Sequence, residues 1–141
     1  MKEMEPTPCL KCSESVVPRR EFGDTVLFAL GRVVPKISKD DGAPELEKIC
    51  DHVRFPESLT LDNGDAHRIT HRLWAVVEHV GPSAHFGHYV AYVNRRPHYD
   101  RYVKVDDEHV ATFDGTATSP GIRSVQACVL LYEINSFLCS R

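Results

Sequence analysis

The sequence lacks any long apolar run: its strongest apolar stretches, residues 26–30 and 127–132, fall far short of the roughly 20 residues that carry a helix across a bilayer. An integral membrane protein is therefore not expected. It also lacks any block of like charge. The 17 Lys+Arg against 20 Asp+Glu give a formal net charge of −3 at pH 7, which offers no electrostatic reason for nucleic acid or an anionic membrane as a partner. The opening Met1-Lys2-Glu3-Met4-Glu5-Pro6 has no apolar core of the kind a secretory signal needs. Disulfide pairing is equally unsupported, because the five cysteines, Cys9, Cys12, Cys50, Cys128 and Cys139, are odd in number and scattered. These absences lead to the expectation of a reducing, intracellular setting, cytoplasm or nucleus. There is no internal repeat, no low-complexity tract and almost no helical periodicity.

What remains is ordinary globular composition, 26% charged and 42% hydrophobic over 141 residues. A chain of this length buries about two-thirds of its unfolded surface in one domain, so neither a disulfide nor a metal is required for a core. Residues 1–22 contain Pro6, Pro8, Pro18 and a Cys-x-x-Cys, and read as a knuckle or loop. Residues 25–34 are apolar and β-branched and meet Pro35, which predicts a buried strand stopped by a residue that cannot donate to a ladder. The charged, turn-rich segment from Pro35 to Glu47 reads as an exposed loop. A short strand is predicted over 48–55 and another over 58–61. A turn follows at Asp62-Asn63-Gly64-Asp65, and then a long strand over 67–80. Strands over 88–94 and 101–106 flank a Pro-containing loop, and 128–132 closes the pattern; a turn or two of helix is expected around 122–127. The predicted class is α+β, built mostly from an antiparallel sheet with short connections.

The most informative stretch is Gly87-His88-Tyr89-Val90-Ala91-Tyr92-Val93-Asn94 followed by Arg101-Tyr102-Val103-Lys104-Val105-Asp106-Asp107. A hairpin centred on Pro97 puts Tyr89, Ala91 and Val93 on one face with Val103 and Val105, an apolar set suited to packing on a core. The other face then carries His88 directly across from Asp106, with Cβ atoms ~5 Å apart. A carboxylate so placed fixes the imidazole tautomer and stabilises its protonated form, as a general base in a nucleophilic triad requires. A register shifted by one presents Asp107 instead. The plainer alternative is a surface His facing an Asp on an open sheet face. Gly87, just before the histidine, allows close approach of backbone or substrate, and the preceding 81–86 is a loop of the kind that carries binding function.

Taken in order, these blocks resemble the C-terminal half of the ubiquitin-specific protease catalytic domain. The resemblance is carried by residues 26–30, by Val53-Arg54-Phe55-Pro56-Glu57-Ser58-Leu59, by Leu73-Trp74 through Gly81, by Gly87-His88-Tyr89, by Val105-Asp106-Asp107 and by Cys128 through Glu133. It implies a papain-like cysteine protease fold of which this chain supplies only the histidine-bearing half, over residues 23–135, with a knuckle-like remnant at 1–22 and a tail at 136–141. It implies cleavage after the C-terminal glycine of ubiquitin, with ubiquitin and ubiquitinated proteins as partners. His88 would be the general base, Asp106 its orienting acid, and Asp107 an accessory group near the oxyanion site; Gly87, Tyr89 and His85 would face the substrate.

This sequence also departs from the family. The nucleophile of these enzymes lies in an N-terminal Gly-Asn-x-Cys-type box, and no such segment occurs here; Cys50, Cys128 and Cys139 lie in unsuitable contexts. The chain taken alone is expected to be inactive, a fragment of a longer enzyme or a truncated gene product. A catalytically inactive ubiquitin-binding or scaffold protein of the same fold is the competing expectation. Val105, Tyr102 and Leu30-Gly31-Arg32-Val33 replace residues more usual in the family. Cys9 and Cys12 suit half of a zinc knuckle, but tetrahedral closure needs four ligands. No cofactor is required by the chemistry; the cysteine pair could ligate a structural zinc in a longer parent protein, or in this chain with a borrowed His. A small zinc-dependent binding module is a third possibility. The remaining histidines, His52, His67, His71, His79, His98 and His109, lack metal-ligand spacing.

Overall fold

The computed structural model describes residues 7–8, 15–16, 22–62, 68–96, 101–113 and 125–134. Eleven strands lie within them: β1 (Thr7–Pro8), β2 (Ser15–Val16), β3 (Thr25–Ala29), β4 (Val33–Ile37), β5 (Pro44–Lys48), β6 (Ser58–Asp62), β7 (Arg68–Val80), β8 (His88–Arg96), β9 (Arg101–Asp106), β10 (His109–Phe113) and β11 (Ala127–Ile134). All pairings are antiparallel. The main sheet has seven strands in the order β10-β9-β8-β7-β11-β3, with β6 also paired to β7. No described residue is helical. Of the helix expected around 122–127, residues 122–124 lie outside the described residues, and Ala127 opens β11 instead.

β7 organises the sheet. Its 13 residues are long enough for β6 to pair along the first part, Arg68 to Arg72, and β8 along the second, Ala75 to Val80. Its other edge is covered by β11, with two register irregularities. Cross-strand pairs line up in rows. Phe28, Leu130, Val76 and Tyr92 lie side by side across β3, β11, β7 and β8, and the last three are 5%, 0% and 6% exposed. Leu73, Val90, Tyr102, Ala127, Tyr132 and Phe55 complete the core. Tyr132 meets Phe28 edge-on and donates its hydroxyl to Pro56 O at 2.8 Å; burial pushes its phenol up to about 12.

The core lies on a different face from the one expected. Tyr89, Ala91, Val93, Val103 and Val105 do share a face, but that face is the open one: Tyr89 is exposed, the other four are half-buried, and Leu27 on the same face is 60% exposed. The buried set is Val90, Tyr92, Asn94 and Tyr102, on the face that also carries His88 and Asp106. Two tyrosines and a valine remove more surface from water than small side chains do, and the neighbouring strands present Val76, Leu130 and Phe28 on that side.

Three further expectations are corrected. The strand predicted over 25–34 divides at 30–32, where the buried Arg32 turns inward and donates from Nε to Ala127 O at 2.7 Å and from Nη1 to Asp51 O at 2.6 Å. Pro35 therefore ends no core strand; it lies within β4, opposite Leu46 of β5, in an exposed two-stranded ribbon where a missing N–H is tolerated. The segment read as a loop up to Glu47 is that ribbon. Of the strand predicted over 48–55, Lys48 ends β5 and the rest is irregular backbone that delivers Phe55 to the core, and β10 was not expected. The strands predicted over 58–61, 88–94, 101–106 and 128–132 are present, as is that over 67–80 from Arg68 onward. The turn residues 63–65 lie outside the described residues. Among the described residues no helix is long and apolar enough to cross a membrane.

Candidate functional site

His88 opens β8 and Asp106 closes β9, so both stand at one end of adjacent strands. They are not directly opposed. The sheet sets Ala91 against Val105 and Val93 against Val103, whereas a hairpin centred on Pro97 would have set Ala91 against Val103. A register irregularity between Asn94 and Arg96 moves the centre. The displacement is an even number of residues, so it preserves which side chains share a face. His88 and Asp106 thus meet diagonally, a span within reach of long side chains. His88 Nε2 lies 2.5 Å from Asp106 Oδ1.

Because Asp106 accepts from Nε2–H, the lone pair of the neutral ring resides on Nδ1. Asp107 Oδ2 lies 4.0 Å from Nδ1. Asp107 sits in the two-residue connection from β9 to β10, with a left-handed φ of 51° that Asp tolerates better than most residues, and it is well exposed. The second oxygen of Asp106 accepts from Lys104 Nζ at 2.7 Å. Lys104 and then His88 hold the Asp106 carboxyl down at about 2. The hydrogen bond to Asp106 raises the His88 pKa, with smaller upward effects from the two carboxylate charges and downward ones from desolvation and Lys104. The pair is a half-exposed imidazole and a carboxylate that stays ionised at neutral pH, able together to take up a proton and to return it.

The loop before His88 is held from below. Lys48, the last residue of β5, donates to His79 O at 2.6 Å and also to Gly81 O. The His79 ring stacks at 34° on Tyr89 with centroids 4.8 Å apart, and it lies where a side chain at position 87 would be. Gly81 adopts φ 134°, with Phe86 O and Gly87 Cα closing on it. Desolvation and then the Lys48 charge lower the His79 pKa. Of the residues expected to face substrate, Gly87 and His85 are exposed in this loop, and the His85 N–H donates to Ser83 Oγ at 3.1 Å. Tyr89 projects from the opposite face to His88. Lys104 and Lys48 were not among the residues singled out from sequence, and His79 was weighed only as a metal ligand and set aside. A Lys two residues before Asp106 in a strand was a readable signal for the first of them.

Cys50 is exposed, and Cys128 is half-buried with its thiol directed to Val77 O. Burial raises the Cys128 pKa, the opposite of what a reactive thiolate needs, and β7 separates its strand from that of His88. Cys9, Cys12 and Cys139 lie outside the described residues. Among the described residues, one group of three potential ligand atoms, from His88, Asp106 and Asp107, falls within 4.8 Å. The Lys104 ammonium already sits on Asp106, however, and its charge opposes a divalent cation there.

Residues 6–132 match the family model described as ubiquitin carboxyl-terminal hydrolase. The chain is 34% identical over 108 residues to ubiquitin carboxyl-terminal hydrolase 21 of Arabidopsis thaliana, covering 72% of this chain and 14% of that protein. It is 39% identical over 75 residues to mouse Ubl carboxyl-terminal hydrolase 18, covering 45% and 20%. The chain spans 7% to 26% of the length of the curated relatives it matches. Among solved structures its fold is similar to the yeast SAGA DUB module, with a TM-score of 0.59 at 23% identity over 79% of this chain and 25% of that one. The Ubp8-Sgf11-Sgf73-Sus1 SAGA DUB module is similar at a TM-score of 0.58 and 23% identity, over 79% and 24%.

Proposed function

Because the chain belongs to the ubiquitin carboxyl-terminal hydrolase family, we propose that it is the histidine-bearing part of a thiol-dependent deubiquitinase of papain-like fold, with its nucleophile on a segment outside these 141 residues. The observation that carries this reading is the 2.5 Å contact from His88 Nε2 to Asp106 Oδ1, which leaves Nδ1 as the basic atom. In the reaction a cysteine thiol gives its proton to Nδ1, and the thiolate adds to the carbonyl carbon of the ubiquitin C-terminal glycine. The imidazolium then protonates the departing amine as the C–N bond breaks. Water, deprotonated by the same nitrogen, then adds to the carbonyl carbon of the resulting thioester; the C–S bond breaks, ubiquitin leaves with a free C-terminal carboxyl group, and the thiolate recovers its proton from the imidazolium. Asp106 holds the ring in the required tautomer and offsets its positive charge. Asp107 faces Nδ1 as an accessory polar group. Exposed Gly87 and His85 border the path of an extended Gly-Gly tail, while Tyr89 acts at one remove, through the His79 stack beneath Gly87. Ubiquitin and its protein conjugates are the proposed partners.

The alternative reading is a ubiquitin-binding or scaffold protein of the same fold without activity. The two separate in one experiment. The chain is co-expressed with a nucleophile-bearing half supplied in trans and treated with a ubiquitin C-terminal electrophile. The enzyme reading requires a covalent adduct that His88→Ala abolishes. Ubiquitin binding without an adduct supports the alternative, and an adduct that survives His88→Ala overturns the assignment of the base.

A further inference from the structure

Asp106 has two oxygens, and each holds a different cation or potential cation: Oδ1 meets His88 Nε2 at 2.5 Å, and Oδ2 meets Lys104 Nζ at 2.7 Å. Lys104 is two residues before Asp106 on β9 and so projects from the same face. It is a half-buried side chain whose reach along the strand ends on the carboxylate. A carboxylate gripped at one oxygen only can swivel about its last torsion, whereas one gripped at both cannot.

We propose that Lys104 is a positioning residue for the His88–Asp106 pair: it fixes the plane of the Asp106 carboxylate toward His88 and shares its negative charge. The proposal rests on the assignment of His88 as the base. Sharing the charge has a consequence for the base. Asp106 alone would hold a protonated imidazole tightly and keep it out of service as a proton acceptor. A second cation on the same carboxylate weakens that hold, because the imidazolium and the ammonium repel each other through the group they share. Lys104 thus opposes protonation of His88, while Asp106 and Asp107 favour it. The other groups facing Lys104 act on Lys104 itself: the charge of buried Glu78 on β7 favours its charged form, and Tyr92 on β8, directly across from it, adds no positive charge. The ammonium is therefore present throughout the range in which His88 titrates.

The test uses the full chain, isotopically labelled, with the His88 ring nitrogens and carbons followed by NMR as pH is varied. In Lys104→Met the His88 midpoint moves to higher pH and the preference for the Nε2–H tautomer weakens; Lys104→Arg, which keeps a cation and a donor, stays at the parent midpoint. An unchanged or lowered midpoint in Lys104→Met overturns the proposal. Should Lys104→Met lose the dispersed amide spectrum of the folded chain, Lys104→Gln provides the same test. It keeps a donor for Oδ2 without the charge, so its midpoint must also rise, and an unchanged one is equally a refutation. The titration needs no nucleophile, so its result is independent of whether the complemented chain reacts with a ubiquitin electrophile.

Discussion

The imidazole of His79 occupies the space that a side chain at position 87 would need. A Cβ built on Gly87 overlaps His79 Nε2 and crowds two ring carbons, while the other side of the ring contact is Tyr89. The residue immediately before His88 is therefore glycine for a steric reason that originates on the neighbouring strand. Gly87→Ala is expected to destabilise the chain by about 1–3 kcal/mol, the usual cost of forcing atoms into a filled site. His79→Ala added to it should recover part of that loss, so the two changes are non-additive. Urea unfolding of the two single variants and the double variant measures this, and a Gly87→Ala protein as stable as the parent contradicts it.

Lys48 ties the end of the β4–β5 ribbon to the start of the 81–87 loop through the carbonyls of His79 and Gly81. Lys48→Met keeps the aliphatic stem and removes both bonds. Hydrogen exchange should accelerate over residues 81–87 and remain as in the parent in the β7–β11 ladder. Uniform acceleration across the sheet would instead mean that Lys48 supports the whole fold.

Acid and base act on the His88–Asp106 pair with opposite signs. The Asp106 pKa falls from 3.8 to about 2 on folding, chiefly through Lys104 and then His88. Its stabilising contribution is complete above 3.8 and disappears as pH falls toward 2. His88 is shifted upward from 6.5, chiefly by its bond to Asp106. Its contribution is complete below 6.5 and disappears as pH rises through the elevated value. Asp106→Asn removes the main cause of the second shift, so the His88 titration midpoint should fall, as read from its ring resonances. A midpoint that stays put would show that the pair does not persist in solution.

Two leucines test which face is the core. Leu73 is 1% exposed and Leu27 is 60% exposed. Leu73→Ala should cost about 2–5 kcal/mol, the range for emptying a packed site. Leu27→Ala should stay within about 0.5 kcal/mol, as surface changes do. Thermal and urea unfolding of the two proteins decide it, and equal losses would mean that the open face is covered in solution.

Much of the sheet was legible because strands announce themselves locally. The apolar, largely β-branched content of Ile69, Leu73, Val76, Val77 and Val80, the turn formers near Gly81 and the valines at 103 and 105 each depend on a few adjacent residues. The juxtaposition of His88 and Asp106 was legible even though the assumed register was not, since a displacement of an even number of residues keeps a side chain on its face. Pro35 misled because whether a proline stops a strand depends on what lies beside it, and here β5 makes an isolated ribbon.

By itself the sequence determined the residues available for chemistry, their spacing along two strands, their common face and the lack of a nucleophile box within these 141 residues. Tertiary structure alone decided which face became the core, since that choice depends on Phe28, Leu130 and Val76 arriving from strands distant in sequence. It also decided that His88 meets Asp106 on a diagonal, that Lys104 takes the other oxygen, and that His79 lies under Gly87. Burial and hydrogen-bond geometry are properties of neighbours in space, and strand periodicity carries no record of which neighbours those will be.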